Sequence, residues 1–410
     1  MASQRSANMR FDELEGYRGL AALTVIVFHA YQSSRVATAF VYQGSGANTF
    51  LSNLDGGVAL FFVLSGFLIF LPFARAAVDR GRSESARGFL IRRAIRIIPL
   101  YYVAILVVWS LRYNGTWSSW QDLIEHLTFV QVFDPVRIFY TIGPAWSLAD
   151  EVIFYMVTAL VGWGTYRLCA RLVSRKARLR LMFAVVGAIV LAGIAYQGSV
   201  FYLARIPATN FAVYFAPQAR IDEFGLGMLL SLVLLSRGER PLFSAPGAVA
   251  AWAGGVAVVT CAFIFRFQVP VMSLYFPTVC AIGFALLLSA TVLGPRGFIF
   301  ERALANPVLS FVGMISYSVY IWHEPIMLQF GDWGWLNFQD GRTWPFETAL
   351  LLLVAIGIGW VSYWVIEKPA QEIRHLFNRQ GRLGDRYVVE PLPAVDTAGP
   401  TKRTPHTRVG

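Results

Sequence analysis

The chain has 410 residues, of which 56% are apolar, 15% aromatic and only 14% charged, with a formal net charge of +11. Soluble domains average about 45–50% apolar and about 25% charged residues, so an ordinary soluble enzyme, a disordered chain and a disulfide scaffold are all excluded. The basic residues fall in short loops between long apolar runs, which assigns them to membrane topology and not to nucleic-acid binding.

A helix crosses the hydrocarbon core of a bilayer with about 20 mostly apolar residues. Runs of that kind lie at roughly 16–34, 57–75, 95–112, 145–166, 181–198, 220–236, 247–265, 271–293, 309–330 and 347–367. They predict an all-α, polytopic membrane helix bundle of about ten transmembrane helices. Two further apolar segments, 123–133 and 200–217, are short or broken by Pro207 and Pro217, and read as re-entrant or interfacial pieces. The first run has no small-residue cleavage site and reads as a retained helix. Arginine clusters after the second run (Arg75 to Arg96) and after the fourth (Arg167 to Arg180) mark the cytoplasmic side. With an even number of spans both termini are cytoplasmic: residues 1–10 form a short N-terminus, 11–370 the membrane domain and 371–410 a tail. From about Gly381 the tail reads as disordered. The three cysteines, Cys169, Cys261 and Cys280, have no metal-ligand spacing, and no metal site is expected.

Ionisable residues inside spans are costly and mark candidate sites. In the first span Arg18 and His29 are eleven residues apart, which places them within about 20° of one helical stripe and about 16 Å apart along the axis. A snorkelling arginine with a hydrogen-bonded histidine explains this pair. So does a cavity that binds an anion at its inner end and moves a proton at its outer end. In the second span Phe61-Phe62-Val63-Leu64-Ser65-Gly66 offers small surfaces for helix packing or, at Ser65, for substrate. Arg93 and Arg96 open the third span at i and i+3, anchoring it to the inner surface or clamping phosphates together with Arg18.

The fourth span opens with Gly143-Pro144-Ala145-Trp146-Ser147-Leu148-Ala149-Asp150-Glu151. Asp150 is accounted for by the helix dipole, whereas Glu151 lies deeper and needs a partner. His29 is at a compatible depth, and a carboxylate bonded to an imidazole makes a general base. Arg220, Asp222 and Glu223 at the start of the sixth span either pair with one another or line an acceptor entrance. Tyr320, Trp322 and His323 in the ninth span fit an aromatic belt, with His323 open to a structural, acceptor-binding or catalytic role. There is no glycine-rich phosphate loop, so a nucleotide-like anion would be held by arginines.

Together these segments resemble acyltransferase family 3, the bacterial integral-membrane O-acyltransferases of surface polysaccharides, glycolipids and macrolides. The resemblance rests on Arg18 with His29, Phe61 to Gly66, Arg93 with Arg96, Trp146 to Glu151, and Ser316-Tyr317-Ser318-Val319-Tyr320-Ile321-Trp322-His323, and extends from about Phe11 to Pro369. It implies transfer of an acyl group, most often acetyl, from cytoplasmic acyl-coenzyme A (acetyl-CoA) to a hydroxyl of an envelope glycan, glycolipid or glycosylated metabolite, in the bacterial plasma membrane. His29 and Glu151 would be catalytic and Arg18, Arg93 and Arg96 would hold the donor. Trp146, Asp150, Arg220, Tyr320, His323 and Ser65 would meet the acceptor. A proton-coupled transporter or exporter would also place His, Glu and Arg inside a helical bundle, and is the competing class.

Overall fold

A computed structural model describes residues 12–379, apart from 38, 113–114, 208, 239 and 296–298. The described chain is built from helices: α1 (Asp12–Gln32), α2 (Gly46–Leu51), α3 (Gly57–Asp79), α4 (Ala86–Arg112), α5 (Trp117–Leu127), α6 (Ala145–Ala170), α7 (Arg175–Gly198) and α8 (Phe211–Tyr214), followed by α9 (Pro217–Arg237), α10 (Ala245–Phe265), α11 (Pro270–Val292), α12 (Ile299–Leu304), α13 (Pro307–Met314), α14 (Ser316–Asp332), α15 (Trp344–Ser362) and α16 (Lys368–Arg379). No β-strand occurs among the described residues, only an isolated bridge between Val36 and Ala39.

Seven of these segments are long and apolar enough to cross a membrane: 46–79, 86–112, 145–170, 175–203, 245–265, 270–292 and 344–373. The other three predicted spans are also helical, but α1 and α9 carry charged residues and the predicted 309–330 span is divided in two. The division falls at Ile315, where α13 ends and α14 begins. Segment 123–133 is not a long helix: α5 covers its first part and a 3-10 turn, Gln131–Phe133, follows. Segment 200–217 contains a π-helical turn, Ser199–Leu203, and the short α8. At the C-terminal end α16 continues to Arg379, past the expected start of the tail at 371. The N-terminal residues 1–10 and the segment from Gly381, expected to be disordered, lie outside the described residues.

α3 is the central helix, packed against α1, α6, α9 and α11, with Phe62, Phe67, Phe70 and Phe73 all buried. Small residues bring its backbone close to that of α9. A Cβ added at Gly66 would lie 1.9 Å from the Phe224 carbonyl oxygen, and one at Gly227 would lie 2.0 Å from that of Val63. Without a hydrophobic driving force between helices in lipid, such close backbone approach supplies the packing energy. The small surfaces read in the 61–66 stretch are thus used for packing at Gly66. Gly313 does the same for α13, where a Cβ would sit 1.8 Å from the Glu15 carbonyl oxygen of α1. The arrangement surrounds one internal cavity with α1, α3, α4, α6 and α14.

Candidate active site

α1 delivers Arg18 to the cavity and His29 to a second histidine. His29 Nδ1 lies 2.9 Å from the Val25 carbonyl oxygen one turn back, and 3.2 Å from Nε2 of His323 on α14. The two rings are 5.0 Å apart. His323 Nδ1 in turn lies 2.5 Å from the Tyr320 carbonyl oxygen. A carbonyl oxygen only accepts, so in the neutral rings both Nδ1 atoms carry the proton. His323 Nε2 then presents a lone pair to the His29 Nδ1–H, and the lone pair of His29 Nε2 is left for another hydrogen. His323 is fully buried, whereas His29 is only partly so.

Glu151 does not take the place expected for it beside His29. Its Oε1 accepts hydrogen bonds from the Ser65 hydroxyl at 3.0 Å and the Tyr155 hydroxyl at 2.6 Å. Ser147, Glu151 and Tyr155 follow one another at i, i+4 and i+8, and that stripe of α6 faces the cavity. Depth along two helices is compatible with a pair, but the rotation of α6 turns the carboxylate toward α3 and the arginines. Of the expected site residues, Arg18, Arg96, Ser65, Glu151 and Tyr320 line this cavity. Arg93 stands outside it, its guanidinium 5.5 Å above the Phe89 ring and 5.4 Å above the Tyr155 ring.

The cavity and the histidine pair are joined through α14. Tyr320 lines the cavity, its hydroxyl lies 2.8 Å from Ser147 Oγ and 3.3 Å from the Pro144 carbonyl oxygen, and His323 follows one turn later. The Glu324 carboxylate accepts the Gly143 N–H at 2.6 Å, so this face of α14 is latched onto the start of α6.

Trp146, Asp150 and Arg220 form a different cluster, which does not line the cavity. They are 8%, 0% and 4% exposed. The Arg220 guanidinium bonds Glu223 at 3.1 Å and lies 4.4, 5.0 and 5.7 Å from the ring centres of Tyr214, Phe215 and Trp146. Asp150 points about 100° around the helix from Glu151 and, unlike it, does not line the cavity. Here the three are internal packing and charge partners of α6 and α9. Tyr155 and Tyr317 line the cavity and were not among the expected site residues. Tyr155 had a usable signal, its i+4 spacing from Glu151. Tyr317 lay in the Ser316-to-His323 stretch that carried the resemblance but was given no role there.

The fold and cavity define a multi-pass membrane protein with an arginine-lined internal site beside a histidine pair. The chain belongs to the acyltransferase family whose model, an acyltransferase domain, matches residues 11–364. It is 27% identical over 320 residues to the exopolysaccharide production protein ExoZ of Rhizobium meliloti, covering 76% of this chain and 88% of that protein. It is 24% identical over 339 residues to the peptidoglycan O-acetyltransferase OatA of Listeria monocytogenes, covering 77% of this chain. The chain spans 49% of that second relative's length. No solved structure gives a significant match.

Proposed function

We propose that the protein is a plasma-membrane O-acyltransferase that moves an acetyl group from cytoplasmic acetyl-CoA to a hydroxyl of an extracytoplasmic envelope carbohydrate or glycolipid. In this reading α1, α9 and the α13–α14 pair complete ten crossings, with both termini cytoplasmic and the Arg18 end of α1 facing inward. Relatives that act in exopolysaccharide production and on peptidoglycan support a glycan acceptor.

The observation that carries the reading is the histidine pair. His29 Nε2 takes the proton of the acceptor hydroxyl as that oxygen adds to the thioester carbonyl carbon, and returns it to the sulfur as the C–S bond breaks. Throughout, Nδ1–H keeps its contacts with the Val25 oxygen and with His323 Nε2, so the imidazolium meets a carbonyl dipole and a lone pair. His323 thereby performs the orienting role first considered for Glu151. Arg18 and Arg96 hold the donor's anionic part, and Glu151 fixes Ser65 and Tyr155 around it. Arg93 supports the ring of Tyr155 from behind.

Purified protein in proteoliposomes, given acetyl-CoA labelled in the acetyl group and a crude envelope glycan fraction, tests this. Label should move to the glycan with wild type and stay on coenzyme A with His29→Ala. Passage of a solute across the vesicle wall with no label moved would overturn the reading in favour of a carrier.

A further inference from the structure

Glu367 is a buried carboxylate that the mechanism above does not use. It is 3% exposed and ends a π-helical turn, Tyr363–Glu367, inserted between α15 and α16 and closed by the Lys368 N–H on the Tyr363 carbonyl. Single π turns insert one extra residue into a helix and occur often at functional sites. Here the insertion turns Glu367 inward, where its carboxylate accepts the Ser318 hydroxyl at 2.9 Å and the Gln371 amide at 3.1 Å. Ser318 adjoins Tyr317, a cavity-lining residue whose hydroxyl donates to the Ile97 carbonyl at 2.7 Å. Ile97 adjoins Arg96. Glu367 is thus tied to the α14 wall of the cavity, and its π turn packs against α4, the helix that carries Arg96, where the charges of Arg96 and Arg18 act on it.

Its direct partners are neutral, so its charge is not cancelled by contact. The arginines are equally unspent. Among the described residues Arg18 has Glu15 at 3.6 Å as its ion-pair partner and Arg96 forms no direct ion pair. Three carboxylates act on the two guanidinia: Glu15, 3.6 Å from Arg18, Glu151, which lines the same cavity, and Glu367 on the α14 side. An anionic ligand entering that site meets their opposing charge. Glu15 is partly open to solvent and Glu151 faces into the cavity itself, whereas Glu367 is a buried charge held in the wall on the α14 side.

Resting on the donor-site reading of the cavity, we propose that Glu367 is a positioning residue that serves as the built-in counter-anion of Arg18 and Arg96. It holds the guanidinia in the empty site and competes with the anionic groups of the incoming donor. Its carboxylate sets donor affinity without touching the reacting atoms.

The test is binding of coenzyme A to the full-length detergent-purified protein, by calorimetry, for wild type, Arg96→Ala, Glu367→Gln and Glu367→Asp, with kcat and donor KM measured alongside. Glu367→Gln keeps the shape and removes the charge. It should bind coenzyme A roughly three- to tenfold more tightly, the scale of one charge acting over several ångströms in a partly screened site, and donor KM should fall while kcat stays within about twofold. Glu367→Asp withdraws the charge by one methylene and should show a smaller tightening, which keeps the proposal testable if the Gln variant does not accumulate. Unchanged or weaker binding in the carboxylate variants, with wild type binding and Arg96→Ala not, would overturn the proposal and leave the donor site standing. A wild type that does not bind coenzyme A would overturn both.

Discussion

Arg266 and Arg96 are both arginines inside a membrane bundle, and they are used in opposite ways. Arg266 is closed: its guanidinium grips Asp55 at 2.6 and 2.8 Å, reaches Asn53 Oδ1 at 3.3 Å and the Ser52 carbonyl at 3.4 Å, and lies 3.9 Å from the Phe276 ring centre. It ties the loop ahead of α3 to the turn between α10 and α11, and the protein meets its donors with a bidentate carboxylate. Arg96 lines a cavity, without a direct ion pair among the described residues. An arginine whose donors are met by protein holds structure together. One that faces a cavity with its charge balanced only at a distance is set for a ligand.

The comparison can be broken at several points. The largest effect belongs to His29. Removing a positioned general base costs about 10²–10⁴-fold, so His29→Ala should lose acyl transfer on that scale while accumulating normally in membranes, as a transfer assay against an immunoblot will show. Next, Arg96→Ala should weaken coenzyme A binding by about tenfold or more with little change in thermal stability. Arg266→Ala should leave coenzyme A binding alone and lower the unfolding midpoint in detergent. Leaving Asp55 without its partner in a partly exposed pair corresponds to about 2–3 kcal/mol, below the range for fully buried pairs. A matched drop in both properties for either variant would erase the distinction.

A finer test separates the two histidines. His323→Ala leaves the His29 Nδ1–H with the Val25 carbonyl alone to stabilise its charged form, and should lower kcat by about 10- to 100-fold without raising donor KM. His323→Gln, which keeps an oxygen acceptor, should recover part of the loss. The smallest effect is expected at Ser65, one of two hydroxyls on Glu151. Ser65→Ala should raise donor KM by about three- to tenfold, read from initial rates at saturating acceptor.

Much of the fold was legible because apolar length is written along the chain. The segments predicted as spans are helical, and those that fall short of apolar spans do so for visible reasons, the charges of α1 and α9 and the break at Ile315. That break was not legible, since nothing in the run Gly313-Met314-Ile315 interrupts its hydropathy. It arises where Gly313 lets α13 press onto the α1 backbone.

At the site, the residue types were readable and the pairings only in part. Arg18, Arg96, Glu151, Ser65 and Tyr320 do share one cavity. The Glu151–His29 pair failed because sequence gives depth, while the direction of a side chain around its helix is set by packing. The same rotation hides Asp150 behind the cavity wall. The π turn that carries Glu367 inward breaks the helical count and had no sequence signature at all.

The most direct measurement is mass spectrometry of envelope glycans and glycolipids from cells producing wild type or His29→Ala at matched membrane levels. An envelope species that carries one acetyl mass with wild type and lacks it with the variant is the predicted result. Identical acylation in both, or none in either, would contradict the assignment of His29 as the base of an acyl transfer.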